Sequence, residues 1–164
     1  MPSPTETHNA ISHVPQWIGF GFILIAFLGF LDATYLTLNH YQNTTPACNI
    51  VAGCETVTTS SFSQIAGIPV ALLGMIYYLT ILFLALSYQQ SKEKKHLVLV
   101  SRLTPIGLLA SIYFVSLQVF IIGAICEYCI GSALSSTLLF VLGILTLKKL
   151  EQRFFPKNTK RLPG

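Results

Sequence analysis

Four long apolar runs leave this chain few folds to choose from. They extend from Trp17 to Leu38, Ile68 to Tyr88, Leu97 to Ile125 and Ile130 to Leu147. The hydrocarbon core of a bilayer is spanned by about 20 residues of α-helix. Each run meets that length, the last once the preceding Cys126–Cys129 turn is added to it. Backbone polar groups in lipid have to be satisfied internally, and a helix does this within one segment. The expected fold class is an all-α membrane protein, a four-transmembrane-helix bundle. Composition agrees: charged residues make up 10% of the chain, against about 25% in soluble domains. A soluble globular domain and a disordered chain are both excluded. The sequence contains neither an internal repeat nor a low-complexity tract.

The formal net charge of +4 invites a nucleic-acid reading, but the placement of the basic residues argues otherwise. All ten are Lys92, Lys94, Lys95, Arg102, Lys148, Lys149, Arg153, Lys157, Lys160 and Arg161. They fall between runs two and three, at the start of run three, and after run four. By the positive-inside rule those regions are cytoplasmic. The charge is a topology signal, and no nucleic-acid partner is expected. The expected organisation is a cytoplasmic N-terminal segment at 1–16, a transmembrane domain at 17–147, and a basic cytoplasmic tail at 148–164. Within the domain, the 39–67 loop faces outward and the 89–96 loop faces the cytoplasm. The first sixteen residues hold no Lys or Arg. They lack the n-region of a signal peptide, so the first run is expected to be retained as a helix.

On this map all four cysteines share the outer side, where disulfides persist. Cys48 and Cys54 form a C-x5-C pair in the loop sequence ACNIVAGC. Cys126 and Cys129 form a C-x-x-C pair in ICEYCIG, opening the fourth helix. Thiols at a helix N-terminus meet the positive end of its dipole, which lowers their pKa. A stabilised thiolate leaves readily, and its disulfide is easier to reduce. The C-x-x-C therefore has the character of a redox centre at the membrane edge. Other readings of the same residues stay open here: two inert staples, a four-thiolate zinc site, or a soft-metal transport path. The last would need a series of Met or His ligands along the spans, which carry only Met75.

The run CNIVAGCETVTTSSFSQIAGIPVALLGMIYY, from Cys48 to Tyr78, resembles the vitamin K epoxide reductase family, especially its bacterial members. The resemblance rests on the cysteine pair, Ser60 six residues after its second member, the Gly67-Ile68-Pro69 sequence and the small-residue helix that follows. Cys126-Glu127-Tyr128-Cys129 fits the same family. The resemblance implies a four-helix bundle around a quinone pocket, capped by the outer loop. It implies a thioredoxin-like (DsbA-like) protein dithiol as electron donor and a membrane quinone of menaquinone, ubiquinone or vitamin K type as acceptor. Catalytic roles fall to Cys48, which meets the partner, Cys54, which exchanges with Cys126, and Cys129, which faces the quinone. Ser60 matches the family's serine near the active site. The reading is that of a quinone-dependent protein-dithiol oxidoreductase supporting disulfide formation in a bacterial inner membrane.

The sequence departs from the vertebrate pattern at Ala133, where those members carry a tyrosine, and this favours plain quinone reduction over epoxide reduction. The chain ends at Gly164 without a fused thioredoxin-like domain, so the partner is expected to be a separate protein. There is no P-loop or G-x-G-x-x-G, and the chemistry needs neither nucleotide nor metal. A DsbB-type quinone-linked oxidase is the rival within the class, but it places C-x-x-C in its first outer loop. The rival outside the class is a disulfide-stapled structural protein. Among the remaining residues, Asp32 is an intramembrane carboxyl and so a pocket or relay candidate. Phe62, with Ile65 and Ile68, is expected to form a lid or an interfacial anchor. Tyr128 is a pocket candidate that doubles as an interfacial aromatic. Glu127 is expected to turn toward water, Pro69 to start the second helix, and Pro105 to kink the third.

Overall fold

The computed structural model describes residues 16–48 and 53–154. The expected N-terminal segment up to residue 15 and the tail beyond residue 154 lie outside them. Among the described residues the chain is an all-α bundle. Its long helices are α1 (Gln16–Tyr41), α3 (Val70–Ser91), α4 (Lys94–Leu117) and α5 (Glu127–Phe154). A short helix α2 (Cys54–Thr58), a 3₁₀ turn at Ser61–Ser63 and a hairpin of β1 (Gln64–Ile65) and β2 (Ile68–Pro69) lie between α1 and α3. Among the described residues, four helices are long and apolar enough to cross a membrane: Trp17–Tyr41, Val70–Ser91, Lys95–Ile122 and Glu127–Leu150.

α1 packs on α3 and α5, and α4 packs on α5 and α3, so the long helices close into a ring. Lipid and core are equally apolar, so helix association relies on close packing rather than on burial from water. The contacts show this. A Cβ at Gly29 of α1 would stand 2.5 Å from the Tyr78 ring of α3, and one at Gly143 of α5 would stand 2.6 Å from Thr104 Oγ1 of α4. Phe22, Tyr78, Ile81, Val100 and Leu139 fill the centre, while Phe83, Leu109 and Phe120 face outward. Buried hydroxyls turn back onto their own helices, as in Thr37 to the Ala33 carbonyl at 2.7 Å and Thr146 to the Leu142 carbonyl at 2.7 Å.

The helix ends follow local chemistry. α3 stops where Lys92 takes a left-handed φ of 54° and returns its N–H to the Tyr88 carbonyl at 2.8 Å. Pro69 stands one residue ahead of α3, as its N-cap, with Val70 the first helical residue. Pro105 lies inside α4, which continues through it. A proline there cannot bond the carbonyl four residues back, and the Thr104 hydroxyl takes that role, donating to the Ser101 carbonyl at 2.9 Å. The hairpin turns through Ala66 and Gly67, both at positive φ (51° and 80°), and pairs Ile65 with Ile68. Two positive-φ residues match the twist of a two-residue hairpin. α4 gives way to a π-helical turn at Gln118–Ile122, closed by Gly123 at φ 69°. The third span therefore ends before the sequence expectation of Ile125, and α5 begins at Glu127, ahead of the expected Ile130.

Candidate active site

Both cysteine pairs meet at one end of the bundle, and the lysines of the α3–α4 connection and of the C-terminal part of α5 lie at the other. Cys48 and Cys54 are joined in a disulfide with a Cα–Cα distance of 6.0 Å. Cys126 and Cys129 are free thiols, the first buried and the second partly buried. Cys54, Val57 and Cys126 form one buried cluster, against which Cys48 and Cys129 pack.

The loop reaches this depth because of Gly53. A Cβ there would overlap the Ile125 carbonyl oxygen and lie 2.7 Å from the Ile125 amide nitrogen. Only a residue without a side chain lets the start of α2 rest on the 123–126 turn. Tyr128 fastens the other side of the loop, donating its hydroxyl hydrogen to the Ala47 carbonyl at 2.8 Å and setting its ring 5.1 Å from that of Tyr35. Glu127 is drawn in with it. Its carboxylate and the two loop sulfurs lie within 4.8 Å of one another, so it faces the disulfide and not open water as expected.

Cys126 stands immediately before α5, and its carbonyl accepts the N–H of Ile130 at 3.1 Å, which makes it the N-cap. Its sulfur occupies the place of a capping oxygen. The Cys129 thiol donates to it, as do the backbone N–H groups of Cys129 and Tyr128, and these hold the Cys126 thiol well below the ordinary range. Burial and the Glu127 charge oppose them without prevailing.

Cys129 opens on a different environment. It lines a cavity of about 410 Å³ bounded by all four long helices and by the loop. The walls are largely apolar, including Leu36, Val57, Phe62, Ile65 and Phe114. Tyr78 and Ser132 add a polar strip, with the tyrosine hydroxyl 2.8 Å from the Ser132 carbonyl and 2.9 Å from its Oγ. Two lining residues present buried polar atoms without a partner among the described residues, Asp32 Oδ2 and the Tyr77 hydroxyl.

Of the sequence candidates, Asp32, Ser60, Phe62 and Cys129 line the cavity, and Cys48, Cys54 and Cys126 gather beside it. Tyr128 lies outside the lining, on the loop anchor just described. Ser60 donates its hydroxyl hydrogen to the Val57 carbonyl at 2.7 Å, which tightens the end of α2. Sequence reasoning passed over Tyr77 and Gln118. Gln118 is 2% exposed, accepts the Cys126 N–H on Oε1 at 3.0 Å, and lines the cavity together with Cys129. Its signal was present, since it is the one side-chain amide between Leu97 and Ile125.

No curated protein matches the chain. The sequence model of the vitamin K epoxide reductase family matches residues 21–144.

Proposed function

The chain belongs to the vitamin K epoxide reductase family of oxidoreductases, and from that membership we propose that it is a membrane thiol–quinone oxidoreductase. It takes two electrons from a separate thioredoxin-like dithiol, passes them through Cys48 and Cys54 to Cys126 and Cys129, and reduces a membrane quinone. The observation that carries this reading is the two-sidedness of the C-x-x-C. Cys126 packs against the loop pair, whereas Cys129 borders an apolar cavity. A relay needs one sulfur toward the donor and one toward the acceptor.

The partner's thiolate attacks Cys48, and Cys54 leaves. The partner's second thiol then releases it as a disulfide. The Cys54 thiolate attacks Cys126 and expels Cys129. Cys48 loses its proton, closes on Cys54 and frees Cys126 as a thiolate, while Cys129 takes up a proton. The resulting state has the loop pair bonded and the C-x-x-C reduced, as in this structure. Two electrons then pass to the quinone as the Cys126–Cys129 bond closes. One proton of the quinol comes from Cys129. Cys126 has none to give, and Asp32, with an unpartnered oxygen at the cavity, supplies the second before regaining it from water. Tyr77 offers its free hydroxyl to a quinone carbonyl. Phe62 and Ile65 form the lid, and Ser60 holds the lid's approach.

The cysteines lie on the periplasmic side of a bacterial inner membrane in this reading, with both termini cytoplasmic. Clustering of the basic residues away from the cysteines supports it. The test is spectroscopic. The purified protein, given a reduced thioredoxin-like dithiol, turns over quinone. Cys126→Ser or Cys129→Ser abolishes turnover with every donor, whereas Cys48→Ser or Cys54→Ser spares turnover with a small permeant dithiol. The reverse pattern would refute the order of transfer.

A further inference from the structure

We propose that Gln118 is the hydrogen-bond donor that receives the charge arriving on Cys129 each time the Cys126–Cys129 bond is opened. The inference rests on the relay above and assigns a catalytic task to a residue outside both cysteine pairs. Three features lead to it. Gln118 opens the π-helical turn, which sets its side chain between the end of α4 and the 123–126 turn. That side chain is 2% exposed, is bonded to the Cys126 N–H and lines the same cavity as Cys129. Its orientation is also fixed: Oε1 is held by the Cys126 N–H at 3.0 Å. An amide turned end for end would set two donors face to face. Nε2 is therefore the atom left for Cys129.

The chemical need is specific. When Cys54 attacks Cys126, the Cys54–Cys126 bond forms and the Cys126–Cys129 bond breaks. The electron pair of the broken bond leaves on Cys129. No proton moves in this step, so a negative charge appears on a partly buried sulfur beside a largely apolar cavity. The titratable groups acting on that sulfur are Cys126 from the adjacent turn and Asp32 from α1. Neither donates to it as the bond opens: Cys126 is then bonded to Cys54, and the Asp32 proton is the one kept for the quinone. A donor held in place in advance does its work at no cost of reorganisation. Gln118 is such a donor, tied at its far end to the residue under attack.

The variant that isolates this role is Gln118→Glu. It keeps the shape and the oxygen that accepts the Cys126 N–H, and it replaces the N–H donor by an ionisable group. Opening of the Cys126–Cys129 disulfide is followed with a thiol reductant and no quinone, by quenched alkylation and mass spectrometry. As a neutral acid the introduced carboxyl still donates, and the rate at low pH stays near that of the unaltered protein. Once ionised it opposes the leaving thiolate, and the rate falls about 10²–10³-fold, the usual loss for one transition-state donor. Gln118→Met, which keeps the length and removes both polar atoms, is slow at every pH. If Gln118→Glu matches the unaltered protein across the pH range, the amide only tethers the Cys126 backbone and the proposal is overturned. A measurement on the unaltered chain guards against misfolded variants. Redox-difference infrared spectroscopy with side-chain ¹⁵N-glutamine shows a shifted amide band on reduction if the contact tracks sulfur charge, and none if it does not. Failure of the unaltered protein to reduce quinone would refute the proposed function and leave the exchange assay readable.

Discussion

A cysteine at an N-cap is an unusual replacement for a capping oxygen, and Cys126 shows what it achieves. Its sulfur takes hydrogen bonds from the Cys129 thiol and from two backbone N–H groups of the first turn. All three favour the anion, and the lowered pKa means that the group ionises at lower pH than a free thiol. In a variant lacking Cys48 and Cys54, thiolate absorbance should first appear below the ordinary thiol value of about 8.5. A first titration at or above that value would mean that burial and Glu127 outweigh the cap. The same residue frames a second expectation. With Cys129→Ser, a bond from Cys54 to Cys126 has no local thiol to release it. That cross-link should accumulate under partial reduction, leaving Cys48 alkylatable. Peptide mapping without reductant reads it directly, and persistence of Cys48–Cys54 alone would favour a structural staple.

Among the elements, the start of α2 is seated by a contact between backbones, while Tyr128 holds the other side of the loop. Gly53 rests on Ile125, and nothing larger fits there. Gly53→Ala should lift the start of α2 from the 123–126 turn at a cost of about 1–3 kcal/mol, typical of overpacking. Turnover with a protein dithiol should fall at least tenfold, while reduction of Cys126–Cys129 by a small dithiol continues. Equal loss with both donors would place the damage in the bundle instead. This contact also shows where sequence reading stops. Four apolar runs announce the spans, and C-x5-C with C-x-x-C announces the chemistry, because both are signals of composition and spacing. The closeness of Gly53 to Ile125, the inward turn of Glu127 and the π-helical turn under Gln118 are tertiary facts with no period of their own. Pro105 is a related case. The local rule marks a missing backbone bond there, and the neighbouring Thr104 hydroxyl donates to the Ser101 carbonyl that the proline leaves free, a side-chain answer that no spacing announces.

For the whole molecule, the segregation of charge from sulfur makes a topological statement that labelling can check. In a background without native cysteines, Ser91→Cys in intact cells should be shielded from a membrane-impermeant thiol reagent, and Thr44→Cys should react. Labelling of Ser91→Cys from outside would set the redox centre in the reducing compartment and remove its oxidising role. The fold class was legible in the first few lines of sequence because hydropathy over about 20 residues is a long signal. The ring order of the helices was not, since it depends on which small residues admit a neighbour, as Gly29 admits Tyr78.

The cavity beside Cys129 is walled by apolar side chains, and its rim residues Phe62 and Ile65 are themselves exposed, at 42% and 50%. An occupant suited to such walls dissolves in the lipid first and enters from there. Its effective concentration is then a mole fraction in a two-dimensional solvent, not a molarity in water. Adding inert lipid or detergent at constant total acceptor should slow turnover in proportion to the dilution, and adding buffer should not. Two acceptors of equal intrinsic fit would differ in apparent KM by the ratio of their partition coefficients. A rate that followed aqueous volume instead would mean that the cavity fills from the water.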